Sequence, residues 1–349
     1  MAKETYQVGL LGYGNSGKFF HAPLIEVNPG LELAAVATSR QEVLELYPKV
    51  RLYDSVEALI ADPSLDLIVV ATPHLLHVPH AQAAIRAGKH VVVEKPLAET
   101  AAEVRALIEQ AGAADRMLIV FTNRRWDGDY MTVKLVIDSG VLGEVYYFES
   151  QWRLYIPKLR GVWRETPEDL GGIFYDLGPH MIDQTIQLFG KPESVHAQIE
   201  THRPNNQVDD YFRLHLRFGS GVEAVLMTDL MAPITGPRFQ VRGRRGTYEK
   251  FGLDPQEAAL RAGEFPRGDN WGVEDPANWG RLKVSDWNGL AFDGQIATVP
   301  GDYRPFYRAV YEALQQGESP FGLEDIVVQL QVIEAALRSA QTNTVQAIE

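Results

Sequence analysis

The chain has 349 residues, 45% of them hydrophobic, with a formal net charge of −13 and no cysteine. That length is long for one hydrophobic core and predicts two domains, 1–122 and 123–349. The acidic balance argues against a nucleic-acid or anionic-membrane surface, and the lack of thiols excludes disulfides, thiolate catalysis and iron–sulfur ligation; with no signal-like start and no eighteen-residue apolar run, a cytoplasmic protein is expected.

Val8, Leu10 and Leu11 read as a buried first strand that runs into Gly12-x-Gly14-x-x-Gly17, after which Lys18, Phe19, Phe20 and Leu24 belong to a helix. Gly12 permits a tight turn, Gly14 lets the backbone approach a pyrophosphate, and Gly17 lets helix and strand pack closely. Asn15 and Ser16 lie in the same turn, beside the unpaired N–H groups of a helix start, which suit a diphosphate. Leu31 to Val36 is the second strand. A ribose-binding carboxylate is expected about 20 residues beyond the glycine motif. This chain instead has Ser39 and Arg40, with no carboxylate before Glu42. A hydroxyl beside a guanidinium suits the 2′-phosphate of NADP, with NAD as the weaker alternative.

Asp54 followed by Val56, Leu59 and Ile60 predicts a short capped helix. Asp66 to Ala71 is apolar almost throughout, as a strand covered on both faces must be, and ends at Thr72-Pro73 on the carboxyl edge of the sheet. A helix from His80 to Ala87, a strand from His90 to Val93, a helix from about Thr100 to Gly112 and a strand from Met117 to Phe121 complete the alternation of a doubly wound sheet. His74, His77 and His80 have the spacing of a metal cluster. On a helix they fan over about 120°, Pro79 interrupts them and no acidic partner completes the set, so no metal is expected. His77 more simply caps or packs against the sheet edge. Lys95, in Glu94-Lys95-Pro96, puts an ammonium at the carboxyl end of an interior strand, where such sheets bind ligands. It is the first catalytic candidate.

Phe121 to Asp127 is a polar and aromatic joint, with Arg124, Trp126 and Asp127 as candidate substrate contacts. A helix follows through Val133, Leu135, Val136 and Ile137, then a strand from Val145 to Trp152. Arg153 to Gly172 is a loop rich in Arg, Trp and Tyr. It either rims a sugar site through Tyr155, Trp163 and Arg164 or is a surface loop pinned by Trp163. A helix starting near Asp176 then carries Asp176, His180, Asp183 and Gln187 in a stripe about 60° wide, with Ile182, Thr185, Ile186 and Phe189 opposite. Asp176 and His180 are one turn apart, so the carboxylate can orient an imidazole that titrates near neutrality and accepts a hydroxyl proton. Asp183 is a further substrate-contact candidate.

Beyond it, Ser194 to Glu200, Tyr211 to Phe218, Val222 to Thr228, Phe239 to Gly243 and Gly246 to Lys250 predict a large, mostly antiparallel sheet. The helix covers one face and a second subunit the other. Of Asp209 and Asp210, at least one is expected to be solvated at a strand edge. Asp254 to Val299 reads as irregular, and Tyr303 to Gln315 and Leu323 to Ser339 as two closing amphipathic helices. The fold class is therefore α/β: a Rossmann parallel sheet followed by an α+β domain on an open sheet.

GYGNSG (12–17), AGKHVVVEKP (87–96) and YDLGPHMIDQ (175–184) resemble the glucose–fructose oxidoreductase and inositol dehydrogenase family, Gfo/Idh/MocA, along essentially the whole chain. FHAPL (20–24), NRRWDGD (123–129), WRE (163–165) and FGLDPQE (251–257) are similar to its NADP-dependent scyllo-inositol dehydrogenase branch. The resemblance implies hydride exchange between NADP(H) and a ring hydroxyl of a cyclic polyol, scyllo-inositol to scyllo-inosose. It implies that Lys95 grips the reacting oxygen, Asp176 orients substrate and histidine, and His180 is the acid/base. Ser39 and Arg40 match the branch's 2′-phosphate pair, while Thr72, Pro73, His74, His77 and Glu94 fall beside the cofactor. A homodimer or homotetramer through the open sheet is also implied. The chain departs from the pattern at Thr122, at His74 and at Leu154-Tyr155, where the branch or family commonly has His, Asn and Arg-Tyr-Arg. Another sugar or anhydro-ketose as substrate, a hydrolase or lyase with tightly held NAD, and a non-catalytic nucleotide sensor are the alternatives.

Overall fold

The computed structural model describes residues 3–349, and the chain forms two compact units. The first comprises the chain up to Asn123 together with Gln256–Trp271 and Asp302–Val327. Its strands β1 (Tyr6–Leu11), β2 (Leu31–Ala37), β3 (Arg51–Tyr53), β4 (Leu67–Val70), β5 (His90–Val93) and β6 (Leu118–Val120) form a parallel sheet in the order β3-β2-β1-β4-β5-β6. This is the order of a dinucleotide-binding Rossmann sheet, whose ligand crevice lies beyond the strand ends where the order reverses, between β1 and β4. Every residue of β4 is buried, which explains its unbroken apolar run.

The helix Val56–Ile60 is capped by Ser55, whose hydroxyl accepts the Ala58 N–H at 3.1 Å, rather than by Asp54. Thr100 and Glu103 form a reciprocal capping box on the helix Ala101–Ala113. After the glycine turn the chain makes a π-helical turn, Gly17–His21, before the α-helix Ala22–Glu26. The later pieces join this unit through aromatic packing. The helix Arg304–Gln316 lays Phe306 against Phe121 at 4.8 Å between centroids, and His21 meets Phe121 at 4.2 Å.

The second unit comprises Arg124–Pro255, Gly272–Gly301 and Val328–Glu349. Strands β7 (Val145–Arg153), β8 (Ser194–Glu200), β9 (Tyr211–Arg217), β10 (Glu223–Asp229), β11 (Phe239–Gly243), β12 (Gly246–Lys250), β13 (Gly280–Trp287), β14 (Leu290–Ile296) and β15 (Gln346–Ala347) form one sheet, β14-β13-β12-β11-β7-β10-β9-β8-β15. All pairs are antiparallel except β7 with β10. In β9, Phe212, Leu214 and Leu216 are buried while intervening residues are more exposed, and the helix Ile173–Phe189 packs on β9 and β10. The stretch expected to be irregular contains the helix Gln256–Arg261 and the β13–β14 hairpin. The hairpin eluded the pattern because β14 buries no residue and so carries no apolar face.

Candidate active site

In the first unit the glycine turn is shaped by backbone. Gly12 has φ of +93°, and a Cβ there would lie 2.7 Å from the Ala71 carbonyl oxygen; a Cβ on Gly17 would collide with the Gly12 carbonyl. A Cβ on Gly14 would meet nothing within 4 Å. The turn is thus closed at both ends and open in the middle, the form a pyrophosphate needs. Ser16 donates its hydroxyl to Glu94, and His21 Nε2 lies 3.0 Å from the same carboxylate oxygen. His21 Nδ1 lies 2.6 Å from the Tyr307 hydroxyl, and the Lys95 N–H donates to Glu94 Oε2 at 3.1 Å. Burial alone would raise the Glu94 carboxyl. The His21 hydrogen bond and charge, then Lys95 and Ser16, outweigh it and hold the group at about 2. Glu94 therefore ties the glycine turn to the end of β5, where Lys95 is buried. His21 and Tyr307 were not read from sequence as parts of this arrangement. The FHAPL motif carried the signal, without a partner to interpret it.

Thr72, Pro73 and His74 follow β4 at its carboxyl end. His77 is buried with Nδ1 2.7 Å from the Pro96 carbonyl and Nε2 2.9 Å from the Thr72 carbonyl, so its ring fills the space between the chain following β4 and that following β5. Burial, first, lowers its pKa; the two carbonyls and Glu94 oppose this, while Lys95 adds to the fall. His80 sits 3.1 Å from the Thr72 hydroxyl through Nδ1. Among the described residues, no three or more His, Cys, Asp or Glu side chains form a group able to hold a metal. Ser39 and Arg40 are exposed just past β2, and Glu42 Oε1 lies 3.9 Å from Arg40 and 3.0 Å from Lys18 Nζ.

In the second unit the helix Ile173–Phe189 carries Asp176 in its first turn and His180 one turn later. Instead of exposing a polar stripe, it is buried on all sides from Leu177 to Ile186. His180 is 8% exposed and Asp183 3%. Arg125 covers Asp183 with two parallel hydrogen bonds, Nε to Oδ2 at 2.8 Å and Nη2 to Oδ1 at 2.6 Å. Asp183 is thus committed to Arg125, a residue that type and spacing had not singled out. Arg164 Nε approaches Asp176 Oδ1 at 3.4 Å and its guanidinium stacks over Trp163 at 4.5 Å, so three of the candidates meet at the helix start. Arg124 stacks over Trp152 at 4.4 Å and pairs with the buried Asp127 at 3.4 Å. Trp126 is half-buried and Tyr155 is exposed. The fully buried Asp210 accepts from the His202 and Arg203 N–H groups and pairs with Arg203 Nε at 3.1 Å; Asp209 is half-buried and turned to the helix. Neither has the solvated strand-edge role expected of at least one.

The parallel sheet, glycine turn and strand-end lysine define a nucleotide-binding oxidoreductase. Residues 6–122 match the profile of the oxidoreductase family's NAD-binding Rossmann fold, and residues 134–348 that of its C-terminal alpha/beta domain. The chain belongs to the Gfo/Idh/MocA oxidoreductase family. It is 38% identical to scyllo-inositol 2-dehydrogenase (NADP(+)) IolW of Bacillus subtilis, over 97% of this chain and 94% of that one. It is 40% identical to the uncharacterized oxidoreductase YdgJ of Escherichia coli, over 97% of each. The structure of the YPO2259 protein from Yersinia pestis superposes with a TM-score of 0.93 at 39% identity, covering 100% of this chain and 98% of that one. The protein is an NAD(P)-binding oxidoreductase acting on a CH–OH group. Among the described residues no helix is long and apolar enough to cross a membrane.

Proposed function

We propose that the protein is an NADP-dependent polyol dehydrogenase whose substrate is scyllo-inositol, oxidised at one ring hydroxyl to scyllo-inosose. One observation carries this. The side chains of alcohol oxidation, Lys95 at a parallel strand end and Asp176 with His180 on one helix, stand in a chain similar over 97% of its length to an NADP-dependent scyllo-inositol 2-dehydrogenase. The backbone of Gly12, Gly14 and Gly17, with Asn15 and Ser16, would hold the diphosphate, and Ser39 and Arg40 the 2′-phosphate. Bound NADP supplies the acceptor for the hydride that leaves the carbinol carbon. Lys95 stabilises negative charge developing on the reacting oxygen, and His180 takes the hydroxyl proton, so the alcohol leaves as a ketone. Asp176 orients His180. Thr72, Pro73 and His74, following β4, would hold the nicotinamide end, with His77 and Glu94 steadying that segment. Arg124, Trp126, Asp127, Tyr155, Trp163 and Arg164 surround the polyol, with Asp183 acting through Arg125. The sheet face away from the helix joins two or four copies of the chain.

The test is a panel of scyllo-inositol, myo-inositol, glucose and xylose with NADP+ and NAD+, followed by NADPH or NADH fluorescence. The fastest turnover is expected with scyllo-inositol and NADP+. Lys95→Ala should lower kcat by about 100-fold or more while NADP affinity stays within a few-fold. Tight NADP binding without turnover of any polyol would overturn the reading.

A further inference from the structure

The helix Ile173–Phe189 starts without a cap of its own. Its N-cap is Gly172, at φ 108°, which has no side chain to accept from the first-turn N–H groups. Those groups turn to a distant part of the chain. Asp209 Oδ2 accepts the Phe174 N–H at 2.6 Å, and the Asp209 carbonyl accepts the Ile173 N–H at 3.0 Å. A Cβ built on Gly172 would collide with the Asp209 carboxylate, which therefore stands where a capping side chain would be.

We infer that Asp209 is a positioning residue: its carboxylate serves as the missing cap and fixes the turn that presents Asp176 and, one turn on, His180. The inference rests on the dehydrogenase reading for what those two side chains do. Charged groups near the helix start are paired with one another: Arg164 with Asp176, and Glu165 with Arg203 at 3.1 Å. On its own segment, Asp210 is engaged by Arg203 and the His202 N–H. Burial raises the Asp209 carboxyl to about 7; the N–H groups of Phe174 and Asp209 oppose the rise and Asp210 adds to it. An acid raised on folding binds more protons folded than unfolded between its ordinary value and about 7, so its ionisation lowers stability as pH rises through that window. The ionised form is nevertheless the better acceptor at a helix start. What marks Asp209 as a positioning group is its place: it accepts the Phe174 N–H at the start of a helix whose N-cap, Gly172, has no side chain to do so.

The experiment compares wild type, Asp209→Asn and Asp209→Ala by steady-state kinetics with scyllo-inositol and NADP+ and by thermal unfolding at pH 6, 7 and 8. Asp209→Asn should lower kcat about tenfold, leave the KM for NADP+ unchanged and alter the pH profile of kcat near 7. Its Tm at pH 8 should equal or exceed that of wild type. A wild-type kcat and pH profile, or a kcat that falls only in step with Tm, overturns the inference. If wild type itself turns over no polyol, the dehydrogenase reading fails separately. Hydrogen–deuterium exchange then decides for Asp209: faster exchange confined to the peptide containing Phe174 in Asp209→Ala supports the latch, and unchanged exchange overturns it.

Discussion

The glycine turn at Gly12–Gly17 and the helix start at Gly172 both lack a side-chain cap, and they differ in what takes its place. In the first, Ser16 gives its hydroxyl to Glu94, while the backbone closes around Gly12 and Gly17 and leaves Gly14 facing open space. In the second, the Asp209 carboxylate is already seated against Phe174. A helix start favours an anion in either case, through its unpaired N–H groups and its dipole. Supplied from outside, that anion is a ligand; supplied by the chain, it is a brace. On the proposed reading, the same local chemistry would serve binding in one unit and alignment in the other.

Substitutions at each start can break this contrast. The largest effect is expected for Gly14→Ala, whose Cβ would meet nothing within 4 Å in the protein itself: NADP affinity should fall about 100-fold with Tm unchanged, as read by fluorescence titration and calorimetry. A matching loss of Tm would show that the turn is structural. Glu94→Gln sharpens the comparison by loosening Ser16 from β5. Because the Glu94 carboxyl is held down at about 2, its stabilisation is present above the ordinary carboxylate range and is lost as pH falls through about 2. The variant should be less stable than wild type by roughly 2 kcal/mol at pH 7, and the gap should close in acid. Gly172→Ala, forced into positive φ and against Asp209, should cost a similar amount, roughly 2 kcal/mol, with a lower kcat and unaltered NADP affinity. For Arg40→Ala the NADP dissociation constant should rise about tenfold and that for NAD hardly at all; equal changes would remove Arg40 from the phosphate clamp. Thr100→Ala, away from both starts, should lower stability by about 1 kcal/mol and leave kinetics alone.

Sequence legibility followed burial. β4 and β5 could be read because a parallel sheet covered on both faces demands unbroken Ile and Val. β9 could be read because one face alone is covered, leaving alternation. β14 could not: Leu290 and Phe292 are exposed, so its residues sort into no inner and outer face. β3, three residues long, gives no periodicity to detect. In the site, residue type and helical spacing singled out Lys95, Asp176 and His180. They did not predict that Asp183 is covered by Arg125, or that Asp209 serves a helix start 35 residues away from it in sequence. A carboxylate's ordinary preference is water, and only the tertiary fold reveals the donors that replace it.

The aromatic cluster of Phe121, Phe306 and Tyr307 has a consequence for the order in which the protein is made. Residues Asp302–Val327 belong to the nucleotide-binding unit, yet β7 through β14 are synthesised before them. At about 5–20 residues per second, the ribosome needs on the order of 10–40 s after Asn123 to deliver them. For that interval Phe121 has His21 beside it but not Phe306 or Tyr307, and the parallel sheet waits for its last helix. The nascent nucleotide-binding unit should gain full resistance to a pulse of protease only once residues past Val327 have cleared the exit tunnel.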